Sequence, residues 1–328
     1  MAGPREGQHR ALLALSAIYH VAAGLAAACA PETVLALFAL DPARFADPLR
    51  WTGLALTGYG ALCAYAAIRP ERAHAVAALG AVAKTCELAA WAVAAALGVI
   101  PPRSFGLTVF DAYAWLLPLA LIALEGTRVG ARLRASAPYA CAVVNGAAAL
   151  ALATVLAPGT TLVGDPAARA AYVRGHLFEW RVGWGLWLLA TTTLTAFYFW
   201  WAARLRPSPI VAAAVALTLP GYASDLAAQS LMIGWVPDRP ELMTLASALT
   251  GGATNVLYTI AGIALSLRTR VIRGALVPWT AVMWLAGVGV SAFLLLDVPL
   301  AIEASSAVLY VLFVPWCVVV GRRLAAAG

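Results

Sequence analysis

Apolar runs close to twenty residues long recur from one end of this chain to the other, each ended by Arg, Pro, Gly or Asp. A helix of about that length, rising about 1.5 Å per residue, crosses the roughly 30 Å hydrocarbon layer of a bilayer. The runs fall at 11–30, 51–68, 74–100, 106–125, 138–157, 181–203, 208–235, 241–267, 274–296 and 300–320. They read as an all-α integral membrane fold of about ten transmembrane helices. Composition excludes the soluble alternative. Of 328 residues, 63% are hydrophobic and 11% charged, too few polar side chains to cover a core.

The net charge of +7 does not point to nucleic acid. The basic residues lie in short clusters between the runs, such as Arg69 and Arg72, Arg128, Arg132 and Arg134, Arg268, Arg270 and Arg273, and Arg322 and Arg323, and Lys84 is the sole lysine. When the runs are threaded alternately, these clusters fall on one side and fewer arginines fall on the other. That bias places both termini in the cytoplasm of a multi-pass protein of the cell inner membrane. No basic face is left for a nucleic-acid partner. Cys29, Cys63, Cys86, Cys141 and Cys317 lie in apolar stretches, form no CxxC pair and are odd in number, so they read as buried small hydrophobes. Arg5 and Arg10 ahead of Ala11–Ala30 imitate a signal peptide, with Ala28-Cys29-Ala30 as its cleavage site. The run is long for that purpose, and the segment is expected to be retained.

Self-comparison reveals an internal repeat. Ala30-Pro31-Glu32-Thr33 is echoed by Ala157-Pro158-Gly159-Thr160, and Asp41-Pro42-Ala43-Arg44 by Asp165-Pro166-Ala167-Ala168-Arg169. Arg69-Pro70 is echoed by Arg206-Pro207, Glu87-Leu88-Ala89-Ala90 by Asp225-Leu226-Ala227-Ala228, and Pro102-Arg103 by Asp238-Arg239. The order and the nearly constant offset predict two parallel four-helix repeats, 1–135 and 136–270, followed by a two-helix appendage, 271–328. Glu87 and Asp225 then occupy equivalent depths, with a buried polar site between the repeats.

Ala30-Pro31-Glu32, Gly58-Tyr59-Gly60, Arg69-Pro70-Glu71-Arg72, Lys84 and Asp111 make the first 125 or so residues resemble small bacterial four-helix membrane proteins of the DoxX-like group. The resemblance implies a four-helix membrane bundle and no particular chemistry. The second half departs from it, with Tyr222 in place of Lys84 and Ser247 in place of Asp111.

An ionisable group in the hydrocarbon is costly and normally faces protein or a water-filled cavity. The first half holds His20, Lys84, Glu87 and Asp111, with Tyr59 at a similar level. Lys84 and Glu87 share a helical face and can neutralise each other. The second half holds Asn145, Asp225, Gln229, Asn255 and Tyr258. Asp225 has no basic neighbour on its helix, and desolvation favours its neutral acid, so it is the best proton-carrying or substrate-facing candidate, with Glu87 second. The competing reading of Asp225 is interhelical hydrogen bonding to Asn255, Tyr258 or a backbone carbonyl. His176 and Glu179 have i,i+3 spacing but are too few to hold a metal. Trp184, Trp187, Trp200 and Trp201 read as interfacial belts, with Trp187 also able to line the core. No nucleotide, zinc-protease, serine-hydrolase or prenyl-diphosphate motif is present, and no cofactor is implied.

Three functions compete. The first is a protein that binds or transports a small solute or lipid-like molecule through the buried polar site, with membrane lipid as its surroundings. The second is an intramembrane enzyme using a neutral carboxyl as general acid on an isoprenoid, sterol-like or quinone substrate. The third is a structural scaffold subunit.

Overall fold

The computed structural model describes residues 4–327, apart from the side chains of 4–6, 8, 96, 102, 103, 105–110 and 113. Arg5 and Arg103 therefore lie outside the described side chains. Among the described residues the chain is helical throughout, with no strand. It divides into two compact units, Met1–Arg132 and Leu133–Gly328.

Eight helical segments among the described residues are long and apolar enough to cross a membrane, rather than ten. Their outward faces carry Ile18, Val143, Leu285 and Val311, each more than two-thirds exposed, which is the surface of a polytopic membrane protein. Runs 51–68 and 106–125 are the two not among them, the second because residues 106–110 and 113 lie outside the described side chains. The first lies in a 27-residue helix, where Thr52, Gly53, Thr57, Gly58 and Gly60 lower the hydropathy. In the second, the apolar stretch among the described residues is Ala114–Ala123.

In the first unit α1 (Pro4–Cys29) leads to the short α2 (Pro31–Leu37) and then to α3 (Pro42–Ile68). Asp41 starts α3: its side chain accepts the Ala43 N–H at 3.0 Å, and Pro42 supplies a first-turn φ already suited to a helix. A 3₁₀ turn, Pro70–Arg72, connects to α4 (Ala73–Ala96). Gly98 ends that helix in the left-handed region (φ +68°), which lets the Val99 N–H reach the Ala94 carbonyl at 2.9 Å. The next helix is α5 (Pro102–Ala123). α1 and α3 meet backbone to backbone, because a Cβ on Gly24 would lie 2.6 Å from the Gly53 carbonyl oxygen. Small residues at such a crossing replace the hydrophobic drive that lipid does not supply. Leu13, Ala17, Cys63, Ala66, Leu119 and Ile122 fill the core beside it.

The second unit is built from α6 (Arg128–Ala151), α7 (Pro166–Gly175), α8 (Leu177–Ala202), α9 (Pro209–Gly234), α10 (Met243–Ser247), α11 (Asn255–Arg268), α12 (Leu276–Leu295) and α13 (Pro299–Ala327). Asp165 caps α7 as Asp41 caps α3, accepting the Ala167 N–H at 2.9 Å. Two π-helical segments interrupt the spans. Leu152–Leu156 ends the α6 span, and Ala248–Thr254 lies between α10 and α11. Such insertions are rare and gather at functional sites.

The aromatic core of this unit includes Phe197, Tyr198, Trp201, Trp284, Phe313 and Trp316. Trp184, Trp200 and Trp201 belong to the interior and not to interfacial belts: they are 3%, 5% and 0% exposed. The Trp201 indole donates to Thr269 Oγ1 at 2.8 Å, so it meets its polar requirement inside the protein without needing the interface. Arg204, just past α8, holds its guanidinium 3.8 Å from the centre of the Trp200 ring, and partial burial lowers its pKa from the ordinary arginine value. The cysteines divide. Cys63, Cys141 and Cys317 are buried as expected, whereas Cys29 and Cys86 are exposed on outward faces.

Candidate functional site

In the first unit the expected residues gather into one polar cluster. Lys84, only 3% exposed, donates to Glu87 Oε2 at 2.9 Å and to Asp111 Oδ2 at 2.6 Å. The i,i+3 spacing of Lys84 and Glu87 on α4 makes the first bond, while α5 brings Asp111. Tyr19 of α1 donates to the other oxygen of Asp111. His20, fully buried, sets its Nδ1 2.8 Å from the Ser16 carbonyl, a geometry that puts the ring hydrogen on Nδ1. Among the described residues its Nε2 has no partner. Tyr59 and Trp115 enclose the His20 ring, with centroids at 5.0 and 5.4 Å. Tyr59 donates to the Val76 carbonyl at 3.3 Å and lies over Gly80, where any larger residue would displace it. One cation between two carboxylates, with a tyrosine closing the group, is an ion network that links α1, α4 and α5.

The second unit is different in kind. Asp225 on α9 is 4% exposed, and among the described residues lining its cavity there is no Lys, Arg or His. Its Oδ2 pairs with the Thr191 hydroxyl of α8, and its Oδ1 accepts from Thr250 Oγ1 at 2.5 Å and from Gln229 Nε2 at 3.1 Å. Thr250 belongs to the π segment, and the extra residue there is what turns it toward α9. Ser224 and Ser291 donate to the Leu249 and Gly251 carbonyls at 3.2 and 2.9 Å, satisfying backbone that the π turn leaves unpaired. The Thr191 hydroxyl also lies 3.2 Å from the Trp187 carbonyl. A hydroxyl has a single hydrogen, so it can donate to an ionised Asp225, or accept from a protonated one while donating to Trp187. The same heavy-atom arrangement therefore serves both forms of the carboxyl.

Asp225 opens on a cavity of about 180 Å³. All of its described lining residues come from the second unit, and Asp225 is the one acid among them, with no Lys, Arg or His. Thr160, Thr161 and Leu162 line it together with the aromatic Trp187, Tyr258, Trp284, Tyr310 and Phe313. An engineered apolar cavity of about 150 Å³ holds benzene, so this space suits a molecule of comparable size.

Asn255 and Tyr258 line this cavity without bonding to Asp225. Asn255 donates to the Gly287 carbonyl at 2.6 Å and to Ser291 at 2.8 Å, and Tyr258 pairs with Thr195 at 2.9 Å. The interhelical partners expected for Asp225 are thus replaced by threonines. Asn145 also lines the cavity and donates to the Ala190 carbonyl at 3.2 Å. His176 is exposed, with its ring stacked on Tyr172 at 4.3 Å. Among the described residues no group of three potential metal ligands occurs.

Thr191, Thr250, Trp284 and Tyr310 escape a reading based on charge. Their only sequence signals are the Thr191-Thr192-Thr193 run and Gly251-Gly252 inside apolar spans. Comparisons with family models, with curated proteins and with solved structures give no match to this chain.

Proposed function

We propose that the chain is a ten-span inner-membrane protein, both termini cytoplasmic, that binds a small solute or lipid-like molecule and passes it across or within the bilayer. The observation that carries this reading is the cavity of the second unit, with Asp225 as its single acid and aromatic rings as its walls. Concave, mainly apolar spaces with a few convergent polar groups are what small-molecule sites look like. The site is assigned to the interior of the second unit, because every described lining residue comes from it. The first unit has the scaffold role, since Lys84, Glu87, Asp111 and Tyr19 satisfy one another. An enzymatic reading lacks support of this kind: no His, Lys, Arg, Glu or second Asp is present in the described lining to return a proton.

A DoxX-like origin and a duplication belong to the same proposal. The Asp-Pro caps at the starts of α3 and α7 support it. The packing of the two units is less alike. Gly24 and Gly53 bring α1 tightly onto α3, whereas Gly146 and Cys141 of α6 face Val314 and Cys317 of α13.

Native mass spectrometry of the full chain released from its own membrane tests the reading. A bound small molecule should be present and should be lost in Ser306→Phe, which fills the cavity from α13. A chain that carries no small molecule, and admits none into proteoliposomes, would sink the proposal.

A further inference from the structure

The cavity in the second unit pairs one carboxyl with aromatic walls and offers no cation to match it. We infer that its ligand is a small organic cation, a primary or quaternary ammonium carrying a hydrogen-bond acceptor. This rests on the reading of the cavity as a small-molecule site and names the chemistry of what occupies it.

Three independent observations converge. The first is the bonding of Asp225, whose two oxygens face Thr191, Thr250 and Gln229, all neutral groups able to donate. None of these partners carries a positive charge. A buried carboxylate without a counter-charge is otherwise expensive, so the site is complementary to a cation that supplies it. The second is the wall. Tyr258 and Tyr310 line the same cavity as Asp225, and Trp187 meets Tyr310 edge to face at 5.8 Å. The negative faces of such rings attract ammonium groups, most strongly where water is excluded. The third is Trp184, which lines the cavity and is 3% exposed, yet its indole N–H has no acceptor among the described residues. An indole N–H buried without a partner is rare, and an oxygen on the ligand would satisfy it.

Size and charge together narrow the class. A space of about 180 Å³ holds an ammonium with a few carbons, and no basic side chain in the described lining repels it. A phosphate or carboxylate ligand would meet Asp225 with like charge and find no counter-ion. The protonated form of Asp225, which the Thr191 hydroxyl also accommodates, gives the empty site a neutral state. Proton and organic cation then exchange at one carboxyl: the cation enters as the proton leaves, and the site's total charge is conserved.

The test uses the full chain in lipid nanodiscs and three cationic probes, choline, tetramethylammonium and benzylammonium. Their neutral counterparts are 3,3-dimethylbutan-1-ol, neopentane and benzyl alcohol, and binding is followed by calorimetry. Choline should bind about tenfold more tightly than its uncharged isostere, as expected for a desolvated cation on aromatic faces. Asp225→Asn should reduce that preference several-fold while the neutral isostere still binds, which also shows that the variant is folded. If Asp225→Asn does not fold, Tyr310→Leu should weaken choline several-fold and leave the isostere nearly unchanged. Isosteres that bind as tightly as the cations would overturn the charge assignment and leave the small-molecule cavity standing. Binding of none of the six probes would overturn both.

Discussion

Lys84 and Asp225 are both buried polar groups in apolar helices, and their surroundings give them opposite characters. Lys84 has two carboxylates within 3 Å, so removing it leaves two acids facing each other in a nearly dry place. Lys84→Met should therefore destabilise the chain by about 3 kcal/mol, and adding Glu87→Gln should recover part of the loss. Thermal unfolding in detergent measures both, and a Lys84→Met variant as stable as the parent would rule out the structural role. Asp225 has only neutral partners, so Asp225→Asn preserves the shape and most of the hydrogen bonding. It should lower stability by no more than about 1 kcal/mol while reducing selectivity for cations several-fold, a separation that Lys84 cannot show. The charged residues were readable in the sequence because a charge in an apolar run is conspicuous. The threonines beside Asp225 were not, because threonine is at home in membrane helices and becomes informative only once its partner is known.

At the scale of elements, the segment Ala248–Thr254 decides where the site lies. It inserts one residue into the span Pro240–Arg268, and it is Thr250 of that turn which reaches Asp225. Deleting Gly252 should restore a regular α-helix and rotate the preceding turn by about 100° relative to α11, since each residue contributes that angle. Helical content by circular dichroism should stay constant while ligand binding falls at least tenfold. Unchanged binding would mean that the π turn does not set the site. The α1–α3 crossing is the corresponding device in the first unit. A Cβ on Gly53 would come 2.6 Å from the Gly24 carbonyl oxygen and from the Ala28 nitrogen. Gly53→Leu should cost about 2 kcal/mol or more through overpacking against backbone, which cannot move aside as a side chain can. Sequence periodicity identifies such helices but not their π turns, since an inserted residue leaves an apolar run just as apolar.

At the scale of the whole molecule, the prediction concerns threading. If α3 spans the bilayer despite its glycines and threonines, its two ends face opposite sides. Cysteines placed at Asp41 and Glu71, both exposed, should then react with an impermeant thiol reagent from opposite faces of sealed vesicles. Labelling of both from one face would show that α3 does not cross the bilayer. The helical class and membrane character were legible in the sequence alone, because a twenty-residue apolar run with its backbone bonds satisfied internally has one favourable setting. The pairing of Lys84 with Glu87 was legible too, since it lies within one helix at a fixed spacing. Tertiary structure alone decided the rest: that Asp111 and Tyr19 complete the Lys84 network, that Asp225 faces threonines rather than Asn255 and Tyr258, and that tryptophans expected at the interface fill a core. Those contacts join residues from 25 to little more than 100 positions apart. They depend on helix rotation and crossing, which an apolar surface packed against equally apolar lipid does not encode in its pattern.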